Sequence, residues 1–285
     1  MIDLILFPSS YFSLKKVDED LQQEYNAVNA TGLFDTILFG YDKWYIEGKL
    51  ILSEIPSAPR PAVMRGWMMK PEQYNLFYKK LIDNNIRLIT TPEEYTLIHI
   101  FPNVYETFGN DTAKMKIYPL NEQIDIEEVK KSFGKFMIKD FVKSVKGTEF
   151  PHFFDASVTQ EKFNKYMEIF YKYRGDLLTG GICIKEFLDL KFYGQNTNEY
   201  RVFYINHKTA IIGRNSGQGN YTQEPPKELL EKYKSLSSCY YTIDYAELAD
   251  GTWKVIEAED GSVSGLPANQ NIEQYFRKLY HAFNG

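Results

Sequence analysis

The run VIEAEDGSVSGLP, Val255 to Pro267, ends an apolar stretch in three carboxylates, Glu257, Glu259 and Asp260. Charges of one sign at this spacing repel unless water, a cation or basic side chains offset them. Just upstream, CYYTIDYAEL and TWKVIEAE flank Asp250-Gly251, a strong cue for a tight hairpin, so Asp244 on one strand should approach Glu257 on the next. Side chains alternate along a strand, which puts Glu257 and Glu259 on one face. Asp244, Glu257 and Glu259 could therefore supply oxygen ligands to one hard cation such as Mg²⁺. Taken alone, the same residues also suit a solvated sheet face.

A basic complement lies in KFMIKDFVKSVKG. Lys139 ends an apolar strand there, and Lys143, Lys146 and Gly147 occupy the following loop. That pattern suits contacts to polyphosphate oxygens under a flexible flap, or simply a solvated charged loop. Arg201 in NEYRVFY alternates with apolar neighbours, so its charge points to one sheet face and needs a phosphate or a carboxylate there. GGICIKEFLDL is an extended run whose backbone groups could pair with an adenine edge where it leaves the sheet. An ordinary buried strand would read the same way. Arg65 in VMRGW ends an N-terminal strand and could clamp a carboxylate or phosphate, or pair with an acidic neighbour as a structural arginine. Arg214 in GRNSGQGNY suits a substrate loop or a hairpin end. His99, His152, His207 and His281 have no metal-ligand spacing and are expected to be structural or superficial.

The elements that must position these residues change in rhythm along the chain. In the first third, apolar runs such as LILF and TILFG alternate with amphipathic segments, the pattern of an α/β unit. In PEQYNLFYKKLIDNN, Pro71 marks a helix start, Tyr74, Tyr78, Leu81 and Ile82 share a face, and IRLIT follows as a strand. Gly109, Asn110 and Asp111 interrupt the pattern, which places a boundary near residue 112. From there come MKIYPL, the helix DIEEVKKSF, the strand KFMIKDF and the helix TQEKFNKYMEIFYKY. Its stripe of Phe163, Tyr166, Met167, Phe170 and Tyr171 reads as core. After Gly180 the signal is mostly strands, closed by the helix NIEQYFRKLYHAF. The expected division is 1–112, then 113–285 in lobes of about 113–178 and 179–285.

The 285 residues carry a net charge of -5 from mixed signs, so there is no global basic field to attract nucleic acid. Cys183 and Cys239 lie in apolar or aromatic runs without zinc spacing, which points to structural thiols and a reducing compartment. The N-terminal MIDLILFP lacks a basic n-region and reads as a buried strand. No apolar run reaches the roughly 20 residues that cross a bilayer. A cytoplasmic location without membrane contact is the expectation.

The order of VMRGWMMKPEQY, IRLITTPEEY, FMIKDFVKS, GGICIKEFLDL, EYRVFY and TIDYAELADGTWKVIEAEDGSVSGLP resembles the ATP-grasp superfamily, and within it the bacterial and phage clade named for one arginine and two lysines. The resemblance spans about residues 62 to 267. It implies an α+β, ATP-grasp fold in which two α+β lobes clasp ATP, preceded by an N-terminal α/β domain. It further implies ATP and Mg²⁺ as cofactors. Lys139 would lie on the α- or β-phosphate, with Lys143 as the second lysine and Lys146 in the flap. Lys185 would lie beside an adenine hinge of Glu186, Phe187 and Leu188. Arg201 would touch a phosphate or acyl-phosphate, Glu199 a ribose hydroxyl, and Lys114 would match an early superfamily lysine. Asp244, Glu257 and Glu259 would be the metal ligands and Arg201 and Lys143 catalytic cations, to which the reading of VMRGW adds Arg65 as a candidate.

The implied reaction activates a carboxylate as an acyl-phosphate for an amine or other nucleophile and forms ADP. The carboxylate substrate is unidentified, with a peptide or protein among the candidates. The alternative is an ATP-binding assembly factor without turnover. One departure stands out: the superfamily's usual strand ending is Glu-x-Asn, and this chain has Glu259 at the second position, which raises the local negative charge.

Overall fold

The apolar run that begins the chain becomes strand β1 (Leu4–Ser10), whose alternate side chains enter two different cores, Ile5 and Phe7 on one side and Leu4 and Leu6 on the other. Burial on both faces is what a parallel strand covered by helices requires. In this computed structural model, which describes residues 1–120, 122–267 and 270–285, β1 is antiparallel to β2 (Ser13–Val17). The chain continues through α1 (Gln22–Thr31), β3 (Asp35–Phe39), α2 (Tyr41–Glu47), β4 (Arg60–Met64), α3 (Pro71–Ile82) and β5 (Ile86–Leu88). β3 and β4 both run parallel to β1, and β5 runs parallel to β4. This first sheet is the α/β unit expected from the alternating pattern.

Helix α3 starts at Pro71 as anticipated, but the face it buries is Tyr74, Phe77 and Leu81. Ile82, expected to share the face of Tyr74 and Leu81, is about half exposed, because the buried stripe is centred on Phe77 rather than on the helix end. Two further helices follow, α4 (Pro92–His99) and α5 (Phe101–Phe108). The start of α4 is fixed by a capping box. The Thr91 hydroxyl accepts from the Glu94 N–H at 3.2 Å, and the Glu94 carboxylate accepts from the Thr91 N–H at 2.8 Å. Both helices lean away from the first sheet far enough to pack on the last strand of the molecule.

The second sheet is built from β6 (Met115–Tyr118), β7 (Lys135–Asp140), β8 (Phe154–Asp155) and β9 (Ile182–Glu186), in the order β6-β9-β7-β8, with α6 (Ile126–Ser132) and α7 (Gln160–Arg174) against it. The stripe on α7 lies in this core, with Phe163, Met167 and Phe170 fully buried and Tyr166 and Tyr171 partly so. Here the expected lobe division fails for one strand. β9 follows residue 179 yet lies between β6 and β7, antiparallel to both, so GGICIKE belongs to the sheet that precedes it.

A short hairpin, β10 (Phe192–Tyr193) with β11 (Asn196–Thr197), leads into the third sheet. That sheet contains β12 (Glu199–Ile205), β13 (Lys208–Arg214), β14 (Tyr240–Glu247) and β15 (Trp253–Asp260), in the order β13-β12-β14-β15, with α8 (Lys227–Lys232) between β13 and β14. The predicted turn at Asp250-Gly251 is present, with Gly251 at φ 86, and a bulge between Asp244 and Tyr245 shifts the register by one residue, so that Asp244 lies opposite Glu257. The last helix, α9 (Ile272–Asn284), buries Tyr275, Phe276 and Leu279. It packs between the first and third sheets, so the end of the chain ties both together. Among the described residues no helix is long and apolar enough to cross a membrane.

Candidate nucleotide site

Two strands of the second sheet face one strand of the third across a cleft of about 530 Å³. In the β7–β9 pair Met137 lies opposite Lys185, so Lys139, two residues on, projects from the same face as Lys185. Both ammonium groups lie near the ring of Phe101, at 4.3 Å for Lys185 and 5.6 Å for Lys139, where the negative face of an aromatic ring partly replaces lost water. Opposite them, Glu257 on β15 accepts from Lys139 Nζ at 2.8 Å. Lys143, Ser144, Lys146 and Arg174 continue the lining on one side, and Glu186, Phe187 and Leu188 on the other.

The electrostatics are strongly coupled. Burial opposes ionisation of Glu257, but Lys139, Lys143 and Lys185 outweigh it and hold the carboxyl at about 2. Burial also works against Lys139, whose ammonium is nevertheless kept charged by Glu257. Among the described residues Lys185 has no such partner at contact distance, its ammonium donating to the Ile256 carbonyl instead. Burial, reinforced by the charge of Lys139, brings it down to about 7. The cleft therefore holds more basic than acidic groups, as a polyanion site must.

The loop after β7 owes its shape to one buried carboxylate. Asp140 Oδ1 accepts from the N–H groups of Val142 at 2.8 Å and Lys143 at 2.7 Å, while Oδ2 accepts from Arg174 Nε at 2.8 Å and from the Thr179 N–H at 3.2 Å. A turn pinned at four points delivers Lys143 to the mouth of the cleft. Gly181, just before β9, could carry no side chain, because an added Cβ would lie 2.3 Å from the Tyr118 carbonyl oxygen.

The expected metal ligands share one face of the β14–β15 hairpin but do not converge. Among the described residues no three acidic, histidine or cysteine side chains gather at ligating distance. Each carboxylate has taken a basic partner instead. Arg201 binds Asp244 in a two-pronged pair at 2.8 and 2.7 Å, Lys139 binds Glu257, and Glu259 lies 2.6 Å from His99 Nδ1 and 3.7 Å from Lys143. Burial pushes Asp244 above the usual carboxylate range, against the opposing charge of Arg201. The donors are hard oxygens on one face, which fits Mg²⁺ in chemistry; assembling them requires their lysine and arginine partners to be drawn elsewhere.

Arg65, Lys114 and Glu199, all expected at the site, lie outside the cleft lining. Arg65 does not face the cleft. It is buried, with Nε and an Nη donating to Glu24 at 2.7 and 2.8 Å, and further bonds to the carbonyl oxygens of Gly261 and Ser264. It is the structural arginine, anchoring the turn after β15 to β4. Lys114 has an exposed side chain outside the cleft lining, and its contribution is a backbone N–H donated to Glu186. Glu199 also lies outside that lining and accepts from the Thr197 hydroxyl. Along the expected hinge, the N–H groups of Glu186 and Phe187 are already taken by the carbonyls of Lys114 and Lys135 at 2.8 and 3.0 Å.

The structure also adds residues. His99, expected to be inert, touches Glu259; Phe101 underlies two lysines; and Arg174 lines the cleft wall. His99 and Phe101 come from α4 and α5, outside the two sheets that face the cleft, and Arg174 from the end of α7; only the apolar character of the α4–α5 segment hinted that it would be buried. The thiols behave as expected, with burial pushing both Cys183 and Cys239 up to about 12.

Residues 125–279 match an ATP-grasp domain family, the third of the clade named for one arginine and two lysines. No curated protein matches the chain. Several solved structures share its architecture. The ATP-grasp ligase PsnB complexed with minimal precursor superposes with a TM-score of 0.63 at 11% identity, covering 99% of each chain. The D-cycloserine synthetase DcsG gives 0.62 at 11% identity over 98% of this chain and 99% of the other. The D-alanine-D-alanine ligase from Coxiella burnetii gives 0.62 at 10% identity over 99% and 93%. At these identities the likeness establishes the fold.

Proposed function

The chain belongs to the ATP-grasp family, in the clade named for one arginine and two lysines, and from that membership and the cleft we propose an ATP-dependent, ADP-forming ligase that joins a carboxylate to an amine or a related nucleophile. The observation that carries this reading is the cleft itself: Lys139, Lys143, Lys146 and Lys185 line one pocket with the Glu186–Leu188 hinge, opposite Glu257. PsnB has been solved with a precursor, Mg and ADP, which supports the same choice of ligands here. In this reading residues 1–112 form the N-terminal domain and 113–285 the ATP-grasp domain, with the lobes dividing after β9 rather than before it.

ATP would lie with its base against the hinge, bonded to the Leu188 peptide, and its phosphates along Lys139 and Lys143, with Lys146 closing over them from the flap. Charge-assisted bonds to phosphate compete directly with the carboxylate partners these lysines now hold. As Lys139 and Lys143 turn to phosphate, Glu257 and the Oε2 oxygen of Glu259 are released to the face they share with Asp244. Mg²⁺ held there would neutralise phosphate charge. The substrate carboxylate attacks the γ-phosphorus, the bond to the bridging oxygen breaks, and ADP leaves. The nucleophile then attacks the acyl carbon and expels phosphate. Arg201, which lies outside the cleft lining and is paired with Asp244 opposite Glu257, would hold the acyl-phosphate oxygens. Such chemistry needs placement and charge neutralisation more than a protein nucleophile.

The test is ADP and phosphate release from ATP and Mg²⁺ against a panel of carboxylate and amine pairs, short peptides included. Release that needs both substrates and is lost in Glu257→Gln supports the ligase. Stoichiometric ATP binding with no ADP formed across the panel would sink it in favour of a non-turnover role.

A further inference from the structure

Glu259 reaches the site from β15, but the group that fixes its side chain comes from the N-terminal part of the chain. His99, the last residue of α4, places Nδ1 2.6 Å from Glu259 Oε1, and both side chains are buried. A carboxylate can only accept, so Nδ1 carries the proton of this bond. The same Oε1 accepts from the Asp260 N–H at 3.0 Å. Oε1 is thus bound twice, and the remaining oxygen, Oε2, faces Lys143.

The imidazole is itself held. Its ring stacks on Tyr95 with centroids 4.8 Å apart, and Tyr95 stacks on Tyr74 at 3.9 Å. The Tyr95 hydroxyl donates to the Met69 carbonyl at 2.9 Å and accepts from the Met69 N–H at 3.0 Å, while the Tyr74 hydroxyl donates to the Thr90 carbonyl at 2.9 Å. The two tyrosine rings are therefore tied by stacking and polar bonds, and the imidazole by its stack on Tyr95. A buried column built this way has little freedom to follow Glu259; Glu259 follows it.

We infer that His99 is a positioning residue for Glu259: by occupying Oε1, it leaves one oxygen, Oε2, to face the phosphate and cation side of the cleft. Deepening the Mg²⁺–ATP reading and resting on it, the inference says why a carboxylate can serve at this place. With one oxygen bound it presents one, as an amide side chain would. Groups that orient a metal-binding carboxylate commonly govern affinity by about 10- to 100-fold.

The experiment measures the Mg²⁺ concentration that gives half of the ATP-dependent rise in melting temperature. The proteins compared are wild type, His99→Phe, His99→Gln, Glu259→Asn and the His99→Phe/Glu259→Asn double variant. His99→Phe keeps the stack on Tyr95 and removes the donor; His99→Gln keeps a donor and covers the case in which the phenyl variant does not fold. The expected midpoint for His99→Phe lies about tenfold or more above wild type, with His99→Gln between the two. The double variant should match Glu259→Asn alone, because an amide has no second oxygen to restrain. An unchanged midpoint in folded His99→Phe overturns the inference while leaving the nucleotide site intact. So does a double variant that carries the full penalty of His99→Phe on top of that of Glu259→Asn. A wild type that shows no Mg²⁺-dependent shift removes the nucleotide reading and this inference with it.

Discussion

Lys139, Lys185 and Glu257 form a charge group whose members depend on one another. Lys139→Ala should raise the Kd for ATP by at least about tenfold, since charge-assisted phosphate bonds are among the stronger polar contacts. Isothermal titration would read this, and unchanged affinity in a folded variant removes Lys139 from the site. Lys185 makes the opposite point for the free protein. Its pKa of about 7 in the fold lies below the ordinary 10.5, so folding disfavours its protonated form. That cost grows as pH falls from 10.5 toward 7 and stays in full below 7. Lys185→Met should therefore melt higher than wild type at pH 6, with the gap narrowing toward pH 10, while its ATP-dependent shift shrinks. A gap independent of pH would contradict the assignment of a strained ammonium. Much of this group is readable from the sequence, because Lys139, Lys143 and the carboxylates stand in compact motifs. His99 is not, since what gives it a role is a partner 160 residues away.

The hairpin β14–β15 shows what local patterning can deliver. Asp250-Gly251 between two apolar runs specifies the turn and period-two alternation the face shared by Glu257 and Glu259, while the Asp244–Glu257 pairing also needs the bulge between Asp244 and Tyr245. What the pattern cannot supply is pairing between distant strands. β9 reads as the start of a new lobe because it follows a long helix and a glycine pair, yet its hydrogen bonds go to β6 and β7. Arg65 reads as a site residue for the same reason, its acidic partner Glu24 being 41 residues earlier. Two predictions belong to this scale. Arg65→Met should cost roughly 3 to 5 kcal/mol in chemical denaturation by stranding a buried Glu24, whereas Arg65 acting on the nucleotide would show as lost ATP affinity at unchanged stability. Gly181→Ala should disrupt the pairing of β6 with β9, because the new Cβ would meet the Tyr118 carbonyl oxygen at 2.3 Å. A variant as stable as wild type would contradict the close approach.

Over the whole molecule, the cleft is assembled from parts that the sequence order keeps apart: β7, β9 and the loop after β7 from the second sheet, β15 from the third, and Phe101 and His99 from the helices that link the first sheet to both. Its free state is electrically self-contained, with Asp244, Glu257 and Glu259 each paired with an arginine, lysine or histidine. ATP must exchange those pairs for its own phosphates, and that exchange is the centre of this account. The most direct test is the melting temperature with millimolar ATP, with and without Mg²⁺, for wild type and Lys139→Ala side by side. A ligand confined to the folded state stabilises it by about 2.7 kcal/mol at a hundred times its Kd. The account predicts a clear Mg²⁺-enhanced rise in wild type and a much smaller one in Lys139→Ala. No rise in wild type, or an equal rise in both, would contradict it.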